Sequence, residues 1–138
     1  MSQDVVADFC TSIRNSVAVK KRVVDVPHSS FKERIASVMK AEGYLKDYQV
    51  VLLDATKKLL RVFPRYVAGR SAITEIKSVS TCGSRVYSSG SVLWPLKNGF
   101  GIRILSTNKG VMSDRKAKAF VDNGKKVRLG GEVICTLW

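Results

Sequence analysis

Three short hydrogen-bonding side chains follow a segment in which apolar and polar residues alternate, as they do in a strand. They are Ser106, Thr107 and Asn108, and Lys109 and Gly110 come directly after them. Hydroxyl and amide groups this short can approach a nucleic-acid backbone closely and reach base edges or 2′-hydroxyl groups. On composition alone a polar turn with a helix cap is the simpler interpretation, with Gly110 freeing the backbone to turn into the next helix.

A second group of residues combines positive charge with an aromatic ring. Lys77, Arg85 and Tyr87 surround a Gly-Ser turn, and Arg85 and Tyr87 are two residues apart, which predicts that they share one face of a strand. Basic side chains bind phosphates, while an aromatic ring can stack on an exposed base or sugar. Ordinary strand packing explains Tyr87 equally well, and its basic neighbours favour a role at the surface.

The charge of the whole chain points to a polyanionic partner. The 138 residues include 24 Lys and Arg against 11 Asp and Glu, a formal net charge of +13, and residues 70–138 hold 12 basic and 4 acidic residues, or +8 of that charge. So much like charge destabilises a compact protein by self-repulsion, which a polyanion would relieve. Nucleic acid is the first candidate partner and an anionic membrane surface the alternative. Since no apolar run approaches the roughly 20 residues that span a bilayer, we predict no membrane segment.

The residue types that catalysis or metal binding needs do not occur in suitable groups. His28 is the single histidine and has no accompanying nucleophile pattern, and the eleven acidic residues show no close pairing. Cys10, Cys82 and Cys135 are far apart and form no C-x-x-C pair, which predicts reduced, buried thiols. We therefore predict no enzyme activity, no metal site and no cofactor.

The pattern of helices and strands predicts an α+β fold. Residues 1–66 show the order α-β-α-β-β, with a turn near Asp54–Lys57, and form the predicted N-terminal domain. Residues 67–70 are the predicted linker, and residues 71–138 a β-rich domain with short strands set off by glycine and serine. The segments "SVLWPLKNG" and "SDRKAKAF" predict a short helical turn and a basic helix that begins at Ser113.

The second helix, in "SSFKERIASVMKAEGY", has the clearest ends. Ser30 and Glu33 fit a capping box at its start, and Gly43 is the residue type expected just after its end.

The opening stretch and the C-terminus together resemble a known family. "GIRILSTNKGVMSDRKAKA" followed by "LGGEVICTLW" resembles the bacterial-type small-subunit ribosomal protein number eight family, whose members end in a Gly-Gly-Glu strand that closes on Trp. Further matching segments are "ADFCTSIRNS", "IASVMKAEGYLKDY" and "IKSVSTCGSRVY". The resemblance covers essentially the whole chain.

This resemblance implies a protein that binds a distorted minor groove in a central-domain hairpin of small-subunit ribosomal RNA and aids subunit assembly. The RNA-binding residues that it implies, together with two lysines beside them, are Ser106, Thr107, Asn108, Lys109, Gly130, Gly131, Glu132, Tyr87, Arg85 and Lys77, with Arg14 and Asn15 facing a second piece of RNA. The implied partners also include neighbouring ribosomal proteins, number five among them, and, as in some bacterial members, the protein's own messenger RNA. The implied location is the ribosome, in the cytoplasm or in an organelle.

Several positions depart from the family's pattern. Asn108 and Ser12 stand where Ser and Arg are usual, Cys82 stands where Pro is usual, and residues 120–128 resemble an insertion. Because Asp122-Asn123-Gly124 is typical of a turn, we predict an exposed loop there. Two other classes remain as alternatives. A DNA-binding module lacks a helix-turn-helix pattern here, and an enzyme for an anionic substrate lacks acid and base residues in a suitable arrangement.

Overall fold

The N-terminal half has two helices and a three-stranded antiparallel sheet with strand order β1-β3-β2. In the computed structural model, residues 5–80, 83–88, 100–127 and 129–138 are described. The elements of this half are α1 (Val5–Ala18), β1 (Val24–Pro27), α2 (Ser30–Ala41), β2 (Leu45–Leu52) and β3 (Lys58–Pro64). This order confirms the predicted α-β-α-β-β arrangement. Buried residues alternate along β3, so that one face of the sheet packs on the core.

The ends of α2 differ in part from the prediction. Ser29 caps the helix and its Oγ accepts a hydrogen bond from the Lys32 backbone N–H at 3.2 Å. The cap therefore lies one residue before the predicted Ser30, and the Glu33 carboxylate pairs with His28 Nε2 at 2.9 Å. The C-terminal end is as predicted: Gly43 has a φ of +87°, which glycine adopts without strain.

The C-terminal half is built on a second antiparallel sheet with strand order β6-β12-β8-β9, and β7 pairs with the start of β12. Its elements are the small hairpin β4 (Tyr66–Val67) and β5 (Arg70–Ser71), then β6 (Ile76–Ser78), β7 (Tyr87–Ser88), β8 (Ile102–Thr107), β9 (Gly110–Ser113), α3 (Asp114–Lys118), β10 (Val121–Asp122), β11 (Lys125–Lys126) and β12 (Gly131–Leu137). The predicted linker at residues 67–70 thus lies within this hairpin, and Ala68 and Gly69 form its turn. The predicted helical turn in "SVLWPLKNG" lies outside the described residues.

The polar turn after β8 leads into a strand and only then into a helix. Gly110, with a φ of +112°, begins β9 and pairs with Thr107, so it does not turn directly into the helix as predicted. The basic helix does begin where expected, because Ser113 Oγ accepts a hydrogen bond from the Lys116 backbone N–H at 3.2 Å.

One apolar core runs through both halves of the chain. Ile13 and Ile35 from the helices of the first half are fully buried in the same cluster as Ile76, Ile104 and Leu137 of the second sheet. The division into domains at residues 66 and 71 therefore stays a prediction. A smaller cluster on the other face of the second sheet, next to the turn after β8, contains Leu105, Met112, Ala117, Leu129 and Val133.

Within the segment 120–128, residues 121–126 form an exposed hairpin where a loop was expected. Strands β10 and β11 pair through Val121↔Lys126 and Asp122↔Lys125. Asn123 and Gly124 have φ values of 51° and 79°, the left-handed conformation that a tight hairpin turn needs. Whether this segment is an insertion relative to the family stays a prediction.

Among the described residues, Cys10 and Cys135 are buried thiols outside any disulfide, as predicted. A hydrogen bond with Cys10, together with burial, raises the pKa of Cys135, so its thiol stays protonated. Cys82 lies outside the described residues. In the described part of the chain, none of the helices is both long and apolar enough to cross a membrane.

Candidate nucleic-acid interface

Three residues that are far apart in the sequence lie in one row across the second sheet. Glu132 on β12 pairs with Tyr87 on β7 at one side and with Ser106 on β8 at the other. Directly opposite residues of antiparallel strands place their side chains on the same face. Three of the predicted RNA-binding positions therefore meet at one edge of the sheet.

Gly131 lets the backbones of β12 and β8 approach closely beside this row. A Cβ atom at this position would lie 2.2 Å from the carbonyl oxygen of Ser106, far inside van der Waals distance. No larger residue fits between these strands without moving one of them. Gly130, just before β12, is half-buried and completes the predicted glycine pair.

The turn after β8 contains two exposed residues, Asn108 and Lys109, between the paired Thr107 and Gly110. The Thr107 hydroxyl donates a hydrogen bond to the Gly110 carbonyl at 2.7 Å and accepts one from the Lys109 backbone N–H at 3.2 Å. These two bonds hold the turn in shape and leave the Thr107 oxygen one lone pair for a ligand. Asn108 and Lys109 project their side chains from a turn that is already ordered.

The charges at this edge include an ion pair within the interface. Arg85 donates a hydrogen bond to Glu132 Oε1 at 3.0 Å, and the Glu132 side chain is 20% exposed against 51% for Arg85. The arginine therefore partly neutralises the one carboxylate in the row and stays accessible to a phosphate. Tyr87 is 71% exposed, which does not fit ordinary strand packing. Arg85 and Tyr87 were predicted to share one face of a strand. Because β7 begins at Tyr87, Arg85 lies before the strand, and it reaches this site through its bond to Glu132.

Lys77, Arg14 and Asn15 lie away from this edge. Lys77 is paired with Thr136, four residues along β12 from Glu132, a distance of about 13 Å at about 3.3 Å per residue. Its Nζ pairs with Glu75 Oε1 at 3.2 Å. The Arg14 guanidinium donates to the carbonyl oxygen of Ile76, at 3.1 Å from Nε, and so ties α1 to β6, while Asn15 is exposed beside it. The predicted residues thus form two groups. Lys77, Arg14 and Asn15 lie around α1 and β6, and the others form what we call the edge group: Arg85, Tyr87, Ser106–Lys109 and Gly130–Glu132.

Ser80 supports the edge group and was not found from the sequence. This buried side chain donates to the Val133 carbonyl at 2.7 Å and accepts from the Val86 backbone N–H at 3.0 Å, so it holds the segment before β7 against β12. A serine between the strands of an apolar sheet is the pattern that could have identified it.

Possible metal and acid–base groups are sparse. Within the described ranges, no three His, Cys, Asp or Glu side chains are grouped closely enough to hold a metal ion. His28 is half-buried, and its Nε2 pairs with the carboxylate of Glu33 at 2.9 Å.

The fold and the edge group define a small, basic α+β protein with an ordered polar turn and accessible cations at the edge of a sheet. The chain belongs to the Ribosomal protein S8 family, whose model matches residues 4–138. Three relatives are each called small ribosomal subunit protein uS8. That of Geobacter sulfurreducens is 41% identical over 136 residues, covering 98% of this chain and 97% of the relative. Those of Pseudomonas fluorescens SBW25 and Coxiella burnetii Dugway are 44% and 45% identical, covering 99% and 98% of this chain and 98% of each relative. The predicted resemblance is confirmed.

Proposed function

We propose that this chain is a structural constituent of the small ribosomal subunit and that it binds small-subunit ribosomal RNA through its edge group. The edge group consists of Arg85, Tyr87, Ser106–Lys109 and Gly130–Glu132. The observation that supports this most directly is the row Tyr87–Glu132–Ser106 beside the close approach at Gly131. It gives a fixed surface with an exposed ring, hydroxyl and amide groups, and an accessible guanidinium.

Affinity and specificity come from different parts of this surface. Lys109, Arg85 and the lysines of the β10–β11 hairpin contact phosphates, which gives salt-dependent binding to any RNA. The short side chains of Ser106 and Asn108 reach 2′-hydroxyl groups and base edges in a shallow minor groove, where the shape of the RNA decides the fit.

Further partners follow from family membership. We propose that Arg14 and Asn15 contact a second piece of RNA. Both residues are exposed on α1, where the bond from Arg14 to the Ile76 carbonyl holds the helix against β6. Neighbouring small-subunit proteins, number five among them, and the protein's own messenger RNA are proposed partners on the same basis. A ribosomal location follows for the same reason.

The experiment compares two RNAs across a salt series. One is the central-domain hairpin of small-subunit ribosomal RNA, and the other is a regular duplex of equal length. Thr107→Ala removes both hydrogen bonds that shape the turn. We expect it to weaken hairpin binding by about 1–3 kcal/mol and to leave duplex binding unchanged, while Thr107→Ser restores hairpin binding.

Lys125→Ala is the matched comparison, because it removes one exposed charge and leaves the turn intact. We expect it to weaken binding to both RNAs equally and to reduce the salt slope by about one. If the unmodified protein binds both RNAs equally and with the same steep salt dependence, the proposed function is wrong. If Thr107→Ala weakens binding to hairpin and duplex alike, the turn does not provide the specificity.

A further inference from the structure

The N-terminal half has a concave surface of its own, which we call the basic groove. It encloses about 430 Å³, within the range of ligand-binding clefts, and lies where the start of β1 meets the end of β3. Its lining residues are Arg22, Val23, Lys46, Phe63, Pro64 and Tyr66. None of them belongs to the edge group or to the group around α1 and β6.

A strand irregularity directs a lysine into the basic groove. The pairing of β2 with β3 shifts between Leu45↔Pro64 and Asp47↔Phe63, so Lys46 is an extra residue without a partner in the register. Such a bulge bends the strand and re-aims a side chain. The exposed Lys46 is accordingly part of the groove lining beside Phe63.

The aromatic side of the basic groove is held in place. The Tyr66 hydroxyl donates a hydrogen bond to the Lys21 carbonyl at 2.6 Å, which joins the start of β4 to the segment that contains Arg22. Burial raises the pKa of Tyr66, so the hydroxyl stays neutral and adds no negative charge to the groove. Phe63 is half-buried and presents part of its ring.

The cations around the basic groove form no direct ion pair among the described residues. A second cavity shares Lys46 and Tyr66 with it and adds Arg65 to the rim. Among the ion pairs of the described residues, none includes Arg22, Lys46 or Arg65. The carboxylate of Asp47, the next residue along β2, forms its ion pair with Lys40 at 3.1 Å, and it attracts Lys46 only at longer range. Three cations thus surround partly accessible aromatic rings.

We propose that the basic groove binds a single-stranded segment of RNA. Arg22, Lys46 and Arg65 contact successive phosphates, and an unpaired base packs on Phe63 and Tyr66. A positively charged groove with aromatic rings is the arrangement that binds single strands, since every base has a face that can stack. The inference rests on the proposed function for the identity of the RNA as ribosomal, and it assigns a contact outside the edge group.

The test measures binding of the full chain to a single-stranded dodecamer of uridine and, separately, to the central-domain hairpin. Arg22→Ala/Lys46→Ala removes two groove cations, and Lys57→Ala/Lys58→Ala removes two exposed cations from the far end of the β2–β3 hairpin as the matched control. We expect the groove variant to bind the dodecamer at least tenfold more weakly and with a salt slope lower by about 1.4, at about 0.7 per phosphate contact. We expect the control variant to lose less than threefold in affinity for the dodecamer. Both variants should bind the central-domain RNA hairpin equally well.

A second variant separates stacking from charge. Phe63→Leu keeps an apolar side chain but removes the ring, and we expect at least fivefold weaker dodecamer binding with an unchanged salt slope. Unfolding in urea verifies that each variant is folded. Photo-crosslinking of a 4-thiouridine dodecamer should label the peptide that contains Phe63 and Tyr66.

Three outcomes would overturn the basic groove as an RNA site. The first is an equal loss of dodecamer affinity in the groove variant and its control. The second is a set of crosslinks confined to the edge group. The third is that poly-glutamate competes for the groove as well as the dodecamer does, which would indicate an acidic protein partner. If the unmodified protein shows no preference for the central-domain RNA hairpin over the duplex, the proposed function is wrong instead. The two failures are therefore distinguishable.

Discussion

Replacing Gly131 by alanine tests whether the close approach of β12 and β8 shapes the edge group. The added Cβ would lie 2.2 Å from the Ser106 carbonyl oxygen and 2.9 Å from its carbonyl carbon. Both contacts are with backbone atoms, so no rotamer change relieves them. The strands must separate by about 1 Å from their usual spacing of about 4.8 Å, and they do so at Ser106, beside the polar turn.

The size of the effect follows from the cost of overpacking. Inserting a methyl group where the surroundings cannot yield costs about 1–3 kcal/mol of unfolding free energy. With an m-value of about 2 kcal/mol per molar urea, a loss of about 2 kcal/mol lowers the unfolding midpoint by about 1 M. We also expect weaker binding to the ribosomal RNA hairpin, because the row that includes Ser106 and Glu132 is displaced.

Urea unfolding monitored by circular dichroism measures the stability, and the salt-series titration measures the binding. Gly83→Ala is the matched control, because a Cβ there meets no atom within 4 Å. We expect its midpoint to equal that of the unmodified protein. If Gly131→Ala unfolds at the same urea concentration as Gly83→Ala and binds the hairpin equally well, the close approach does not determine the site.

Two further predictions concern the N-terminal half. Ser29→Ala should lower the unfolding free energy by about 1 kcal/mol through loss of the cap on Lys32, whereas Ser30→Ala should change it little; urea unfolding of the pair contradicts the assigned cap if the effects are reversed. Hydrogen bonds from Arg61 lower the pKa of Asp25, so this pair stabilises the protein above the unfolded-state pKa, and the contribution is lost as the pH falls through the lower folded-state value. Both side chains are about one-third exposed, so Asp25→Asn should cost at most about 1 kcal/mol near neutral pH. The difference should vanish in strong acid, and a difference that grows on acidification would contradict this.

Local patterns predicted the elements whose hydrogen bonds are local. The turn near Asp54 is an example, because its carboxylate accepts bonds from the backbone N–H groups of Thr56 and Lys57. The start of α3 at Ser113 is another. The predicted cap of α2 was one residue too late because Ser29 and Ser30 carry the same hydroxyl group. The capping-box pattern also does not predict that Glu33 bonds to His28.

Long-range pairing decided what the local patterns left open. Strand β9 was missed because its four residues precede a clear helix start, and only pairing with β8 makes them a strand. Lys77 was grouped with Arg85 because they are near in sequence, yet β6 and β7 pair with opposite ends of β12. The meeting of Tyr87, Glu132 and Ser106 likewise depends on register, and for these residues the family resemblance supplied what periodicity did not.

The basic groove was not predicted from the sequence, because the net charge of the N-terminal half hides where its cations lie. Residues 1–69 contain 12 basic and 7 acidic residues, so their excess appeared smaller than that of the second half. The net count conceals position, since Arg61 and Lys40 are paired with carboxylates while Arg22 and Lys46 line one groove. The bulge that directs Lys46 leaves no mark in the alternation of apolar and polar residues, because the extra residue looks like one more exposed strand position. Because Arg22 and Lys46 are exposed and form no ion pair among the described residues, their charge is as available to a polyanion as that of the edge group.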